Sequence, residues 1–214
     1  MANADTMANA VNANRLDRLD LRRRALRSVP DLGASEQLSS LDLSDNHLEG
    51  PLALPPLPRL VELRLANNAL DAPTVQRASP LPAALRVLDL GSNRLSLLPP
   101  CVLRLGTLSV LKVDRQRLRS LPPQLSLLAE LVELDAGFNE LPTALELDRA
   151  GLPRLRRLVL RSNALGRRAG ALALRAEQLP SLTELDLAGN GLRGSGPRRV
   201  LGSERRKGAR RSQP

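Results

Sequence analysis

The phrase L-x-x-L-x-L-x-x-N-x-L occurs eight times in this chain of 214 residues, with substitutions, at intervals of 22 to 27 residues. It reads LDRLDLRRRAL at 16–26, LSSLDLSDNHL at 38–48, LVELRLANNAL at 60–70 and LRVLDLGSNRL at 85–95. It continues as LSVLKVDRQRL at 108–118, LVELDAGFNEL at 131–141, LRRLVLRSNAL at 155–165 and LTELDLAGNGL at 182–192. Self-similarity at such a period implies a solenoid, in which each unit buries its apolar side only against its neighbours. The second and third leucines of each unit alternate with a polar residue, as a half-buried strand requires. Leu41 and Leu43 are therefore expected inside, and Asp42 outside. The Asn that follows suits a tight turn, where its amide bonds neighbouring backbone groups.

Composition leads to the same architecture. There is no Trp or Tyr, and Phe138 is the only aromatic residue, so any core consists of Leu, Val and Ala. A compact globule packed in that way would be poorly specified. A stack of equivalent leucine positions avoids the problem.

The eight phrases resemble the leucine-rich repeat family over residues 16–192. The resemblance implies an α/β fold, a right-handed horseshoe solenoid. Its concave side would carry a parallel β-sheet and its convex side short turns or helices. Three segments are expected: a disordered stretch over 1–15, the solenoid over 16–192 and a basic disordered tail over 193–214. Asn46, Asn68, Asn93, Asn139, Asn163 and Asn190 fill the Asn place and would stack into a ladder that satisfies backbone between coils. Arg24 takes that place in the first repeat, where no coil precedes and a charge keeps an end face soluble. Gln116 takes it in the fifth, where its longer arm loosens the ladder or is simply tolerated.

The outer segments are of mixed subclass. LSLLPPCVLRLGTL and LRSLPPQLSLLAEL match the family's short-turn type, while EGPLALPPLPRL is similar to the plant-receptor type. In LGRRAGALALRAEQLPSL, Leu172, Ala176 and Leu179 recur at i, i+4 and i+7, which predicts one helix of the ribonuclease-inhibitor type.

A solenoid binds through its concave surface. The outward place between the second and third leucines holds Asp20, Asp42, Arg64, Asp89, Lys112, Asp135, Val159 and Asp186, whose signs alternate from Asp42 to Asp135. Two residues earlier stand Arg18, Ser40, Glu62, Val87, Val110, Glu133, Arg157 and Glu184. Parallel strands lie about 4.8 Å apart, so these groups are near neighbours. Cross-strand pairing and docking of a partner both account for them. The candidate partner-binding residues are Asp42, Glu62, Arg64, Asp89, Lys112, Glu133, Asp135, Arg157 and Glu184, with Phe138 at the edge as an aromatic anchor or a ring leaning over the next turn.

The net charge of +10 lies at the ends of the chain. Residues 193–214 hold eight basic groups against one acid, residues 15–27 six against two, and residues 28–192 eighteen of each sign. Arg205, Arg206, Lys207, Arg210 and Arg211 make the tail a candidate localisation signal or a weak, salt-sensitive contact for nucleic acid. The body lacks the aromatic platforms that single-stranded nucleic acid stacks on. No phosphate-binding glycine loop is present, and one histidine, His47, and one cysteine, Cys101, make neither a zinc site nor a catalytic pair. No cofactor and no metal are expected, and no enzyme. The first fifteen residues lack an apolar segment of signal-peptide type, and no stretch approaches 18 apolar residues.

These features lead to a monomeric, non-enzymatic module, cytoplasmic or nuclear, that binds another protein through its concave face as an adaptor or regulatory subunit. Two alternatives stand beside it: a nuclear or ribonucleoprotein factor using the basic tail, and a fragment of a larger leucine-rich repeat receptor or regulator. The residues before Leu16 and after Leu192 offer little apolar cover for the terminal coils.

Overall fold

The computed structural model describes residues 17–33, 35–76, 81–167 and 174–192. Every repeat in it contributes one three-residue strand: β1 Arg18–Asp20, β2 Ser40–Asp42, β3 Glu62–Arg64, β4 Val87–Asp89, β5 Val110–Lys112, β6 Glu133–Asp135, β7 Arg157–Val159 and β8 Glu184–Asp186. They form one parallel sheet in chain order, β1 to β8. Equivalent leucines pair directly, Leu41 with Leu63, Leu63 with Leu88 and so on along the sheet. Parallel strands need a covering layer, because each connection must cross back over one face. Here that layer consists of the convex segments, and the other face stays open.

The convex layer is made of short pieces. One helical turn, α1, spans Ala72–Gln76. Turns of 3-10 helix span Val102–Arg104, Pro123–Leu127, Leu165–Arg167 and Ala176–Gln178. Pro99-Pro100 lies just before the first of them, and Pro122-Pro123 opens the second. Proline fits the first turn of a helix and opposes its extension only further in.

The single helix expected around Leu172, Ala176 and Leu179 is corrected in its described part. Ala176 lies in a three-residue 3-10 turn and is exposed, and only Leu179 enters the core. Leu172 lies outside the described residues. Gln178 ends the turn by donating from Nε2 to the carbonyls of Leu147 at 3.0 Å and Asp148 at 2.6 Å. The backbone N–H of Leu152 donates to the Gln178 carbonyl at 2.8 Å. Gly151 sits beneath this contact at φ 62°, and a Cβ there would stand 2.3 Å from the Gln178 carbonyl oxygen. Backbone docking, rather than an apolar helix face, fixes this segment.

The core is a stack of leucines. Leu41, Leu43, Leu63, Leu65, Leu88, Leu90, Leu111, Leu134, Leu158 and Leu160 are fully buried. At roughly 1.5–3 kcal/mol per buried leucine, this column supplies a large share of the driving force for folding. The first coil is nearly closed, with Leu19 and Leu21 at 9% and 7% exposure. The eighth is more open: Leu182, Leu185 and Leu187 are partly buried and Leu192 is 43% exposed.

Past each strand the chain turns through a left-handed residue just before the Asn place. Arg23, Asp45, Asn67, Ser92, Arg115, Phe138 and Ser162 all have φ between 53° and 57°, and Gly189 has φ 72°. In this conformation the backbone ladder carries on into the turn. Asp45 N–H donates to Ala66 O at 2.9 Å, Arg115 N–H to Gly137 O at 2.9 Å and Phe138 N–H to Arg161 O at 2.8 Å.

Candidate functional site

The Asn column forms the structural border of the concave face. Asn93 is typical of it. Its Oδ1 accepts from the Leu70 N–H at 3.0 Å, and its Nδ2 donates to Leu65 O in the preceding coil at 2.9 Å and to Leu90 O in its own turn at 2.9 Å. Asn46, Asn68, Asn139, Asn163 and Asn190 make the equivalent bonds to their own turn and to the coil before. Gln116 reaches further. Its Oε1 accepts from Leu95 N–H at 2.9 Å and its Nε2 donates to Leu90 O, so both bonds across the coils persist and the pair to its own turn is lost. Arg24 is exposed and, among the described residues, gives only its backbone N–H, to Asn46 Oδ1 at 2.9 Å.

Inside that border the sheet registers the two outward rows strand by strand, Asp42 against Arg64, Arg64 against Asp89, Asp89 against Lys112 and Lys112 against Asp135. Together the rows hold eight acidic and four basic residues. Val87 and Val110, half-buried, are paired neighbours at mid-face, flanked in register by Glu62 and Glu133. Over this strip lies a shallow hollow of about 490 Å³.

The ion pairs of the face gather at its two ends. Arg64 pairs with Glu62 at 2.5 Å and Asp42 at 3.9 Å, and Arg22 pairs with Asp20 at 2.7 Å and Asp42 at 3.6 Å. Arg157 bridges Glu133, at 3.7 Å, and Glu184. Lys112 makes no ion pair within 4 Å among the described residues. The Arg22 guanidinium and backbone N–H, both donating to its carboxylate, hold Asp20 down to about 2.

The aspartates of the outer row also have a local task. Asp20, Asp42, Asp89, Asp135 and Asp186 each accept, through Oδ1, the backbone N–H two residues later, at 2.9–3.0 Å. Such a bond closes a small turn at the strand end. Most of the acidic character of this row is therefore built into the repeat.

One residue that the sequence reading passed over stands in the next row out. Asp114 occupies the place held in adjacent coils by Gly91 and Gly137. A Cβ on Gly91 would lie 2.5 Å from Asp114 Oδ1, so the missing side chain leaves room for the carboxylate. Burial raises the Asp114 pKa, and the charges of Asp135 and Asp89 add to the shift. The alternation Gly, Asp, Gly at one place in three successive repeats was the available signal.

Phe138 holds the edge of the face at 38% exposure. The Arg115 guanidinium, from the coil before, lies 4.3 Å from its ring centroid, and that of Arg161, from the coil after, lies 5.5 Å away. Away from the face, His47 is exposed. Cys101 is half-buried on the convex side, where burial pushes its thiol up and its Sγ lies 3.5 Å from Val75 O. The tail residues Arg205, Arg206, Lys207, Arg210 and Arg211 lie outside the described residues, as do the two terminal segments expected to be disordered.

A parallel one-strand-per-coil sheet with an Asn border and an open face defines a class of repeat scaffold. The comparisons agree. The family described as Leucine Rich Repeat matches residues 37–57 and 84–105, and a second family of that description matches 178–196. Osteomodulin of Bos taurus is 29% identical over 117 residues, 52% of this chain and 27% of osteomodulin. An LRR protein of Leptospira interrogans has 26% identity and a TM-score of 0.61, covering 88% of this chain and 52% of that one. An internalin of Listeria monocytogenes, at 22% identity and TM-score 0.60, covers 77% of this chain and 45% of that one and shares the fold. The chain thus spans about a quarter to a half of the proteins it matches. It carries leucine-rich repeats and has the horseshoe fold of such repeats. Proteins of this kind are typically non-enzymatic scaffolds for protein–protein contact. Among the described residues no helix is long and apolar enough to cross a membrane.

Proposed function

We propose that this protein is an adaptor or regulatory subunit that binds one partner protein across β3 to β6 of the concave face. The observation that carries the reading is the state of mid-face. Val87 and Val110 form an open apolar strip there, and Lys112 beside them has no ion pair among the described residues. Apolar centre and polar rim is the anatomy of protein interfaces. The eight acids and four bases of the two rows disfavour a phosphate backbone as ligand. The protein acts in the cytoplasm as a monomer, and its single cysteine excludes an intrachain disulfide. The tail serves as an address to the nucleus or as a weak polyanion contact.

The test is affinity purification with mass spectrometry on the full chain, comparing wild type with the pair Val87→Arg and Lys112→Glu. Neither side chain takes part in the turn bonds of the Asp row, so circular dichroism should report an unchanged fold. Loss of the retained partner is expected. Equal retention by both proteins sinks the proposal.

A further inference from the structure

Phe138 is the least expected residue of the turn column. Every coil places a left-handed residue there, and Asn67 and Gly189 suit it. The repeat holds Phe138 at φ 54° as it holds its equivalents, although a bulky side chain does not favour that region. It is also the only aromatic residue of the chain. The leucine core makes no use of it, since the ring lies at the surface between two guanidiniums.

Those guanidiniums carry further information. Arg115 approaches Asp114 at 3.7 Å and Arg161 approaches Asp186 at 3.8 Å, both too far for a hydrogen bond. Their side chains are 58% and 48% exposed. Neither donates a side-chain hydrogen bond among the described residues. A guanidinium stacked on a ring keeps its in-plane donors free, and the ring limits the rotamers it must give up on binding. Arg115, Phe138 and Arg161 therefore make a pre-ordered pair of carboxylate receptors around an apolar edge.

We infer that this triad anchors an acidic segment of the partner protein, two carboxylates meeting the guanidiniums and an adjacent apolar side chain meeting the exposed edge of Phe138. The inference rests on the concave-face reading and specifies one edge of that surface. A protein partner is favoured over RNA because a base needs an open ring face to stack on, and guanidiniums from both neighbouring coils flank this ring.

The experiment pans a display library of random peptides against the full chain, then measures fluorescence anisotropy of a recovered peptide. Phe138→Asn relieves the left-handed backbone, so its thermal midpoint should hold or rise while peptide affinity falls at least about ten-fold. The Arg115→Gln and Arg161→Gln pair should weaken binding in the same way. Recovered peptides should carry Asp or Glu beside an apolar residue. Basic peptides, an empty panning, affinity unchanged in Phe138→Asn, or an oligouridine bound in place of peptide would each overturn the inference. If Val87→Arg with Lys112→Glu abolishes peptide binding and Phe138→Asn leaves it intact, the wider face stands and the triad falls. The reverse pattern upholds the triad against the wider face.

Discussion

A carboxylate that folding desolvates among other carboxylates works against the fold that holds it, and Asp114 is such a group. Burial is the main cause of its raised pKa, and the charges of Asp135 and Asp89 push the same way. Arg115, at 3.7 Å, opposes the shift without cancelling it. A carboxyl raised in the folded state disfavours folding at neutral pH, and that cost disappears as the pH falls through its raised value. Asp114→Asn should therefore stabilise the protein at pH 7. The gain over wild type should shrink on acidification, as followed by urea denaturation at several pH values. Asp20 has the opposite sign. Its carboxyl, lowered to about 2 by Arg22, contributes stability above the ordinary carboxylate range that is lost as the pH falls towards 2. Its side chain is 57% exposed, so solvent screening keeps that contribution below about 1 kcal/mol. A gain for Asp114→Asn that stays constant down to acid pH would exclude the electrostatic cause.

At the scale of one coil, the turn is the element with most at stake, since buried carbonyls of two coils meet on a single side chain. Asn93→Ala would strip the partner from Leu70 N–H and one of the two donors from Leu65 O, which keeps Asn68 Nδ2, at a cost of about 1–3 kcal/mol. Gln116→Asn should go the other way, by about 0.5–1 kcal/mol, because the shorter arm restores the pair of bonds to its own turn. Urea midpoints of the two variants would decide, and a loss of stability in Gln116→Asn would mean that the longer arm is needed there. The strands, their order and the Asn border were legible in the sequence because each follows from a residue type at a fixed place. The left-handed column was not, since Arg115, Phe138 and Ser162 carry no turn preference that a reader would trust, and the backbone ladder forces them into it. The segment before β8 misled for a related reason. Leucines at helical spacing are also leucines at solenoid spacing, and the docking of Gln178 on Leu147 and Asp148 selected a 3-10 turn. On the concave face the alternating signs were legible, but the turn-closing bonds of its aspartates and the room beside Asp114 depend on geometry between coils.

The molecule as a whole is one-dimensional, and its stability should vary along its length. In a solenoid each coil is held by its own packing and by two interfaces, and a terminal coil by one. The leucines show the gradient directly. Leu88 in β4 is fully buried, while its equivalent in β8, Leu185, is only partly buried. Leu88→Ala removes side-chain volume from a closed stack and should cost about 3–5 kcal/mol. Leu185→Ala should cost about 1 kcal/mol, because the transfer loss is smaller and an open coil relaxes around it. A coil packed this openly can also open alone, so amide exchange in Leu185→Ala should accelerate at β7 and β8 and stay slow at β3 to β5. In Leu88→Ala it should accelerate throughout, since a break at mid-solenoid separates two arrays that are each less stable than the whole. Equal costs and the same exchange pattern in both variants would show that coil 8 is as enclosed as coil 4, and that the array behaves as a single cooperative block.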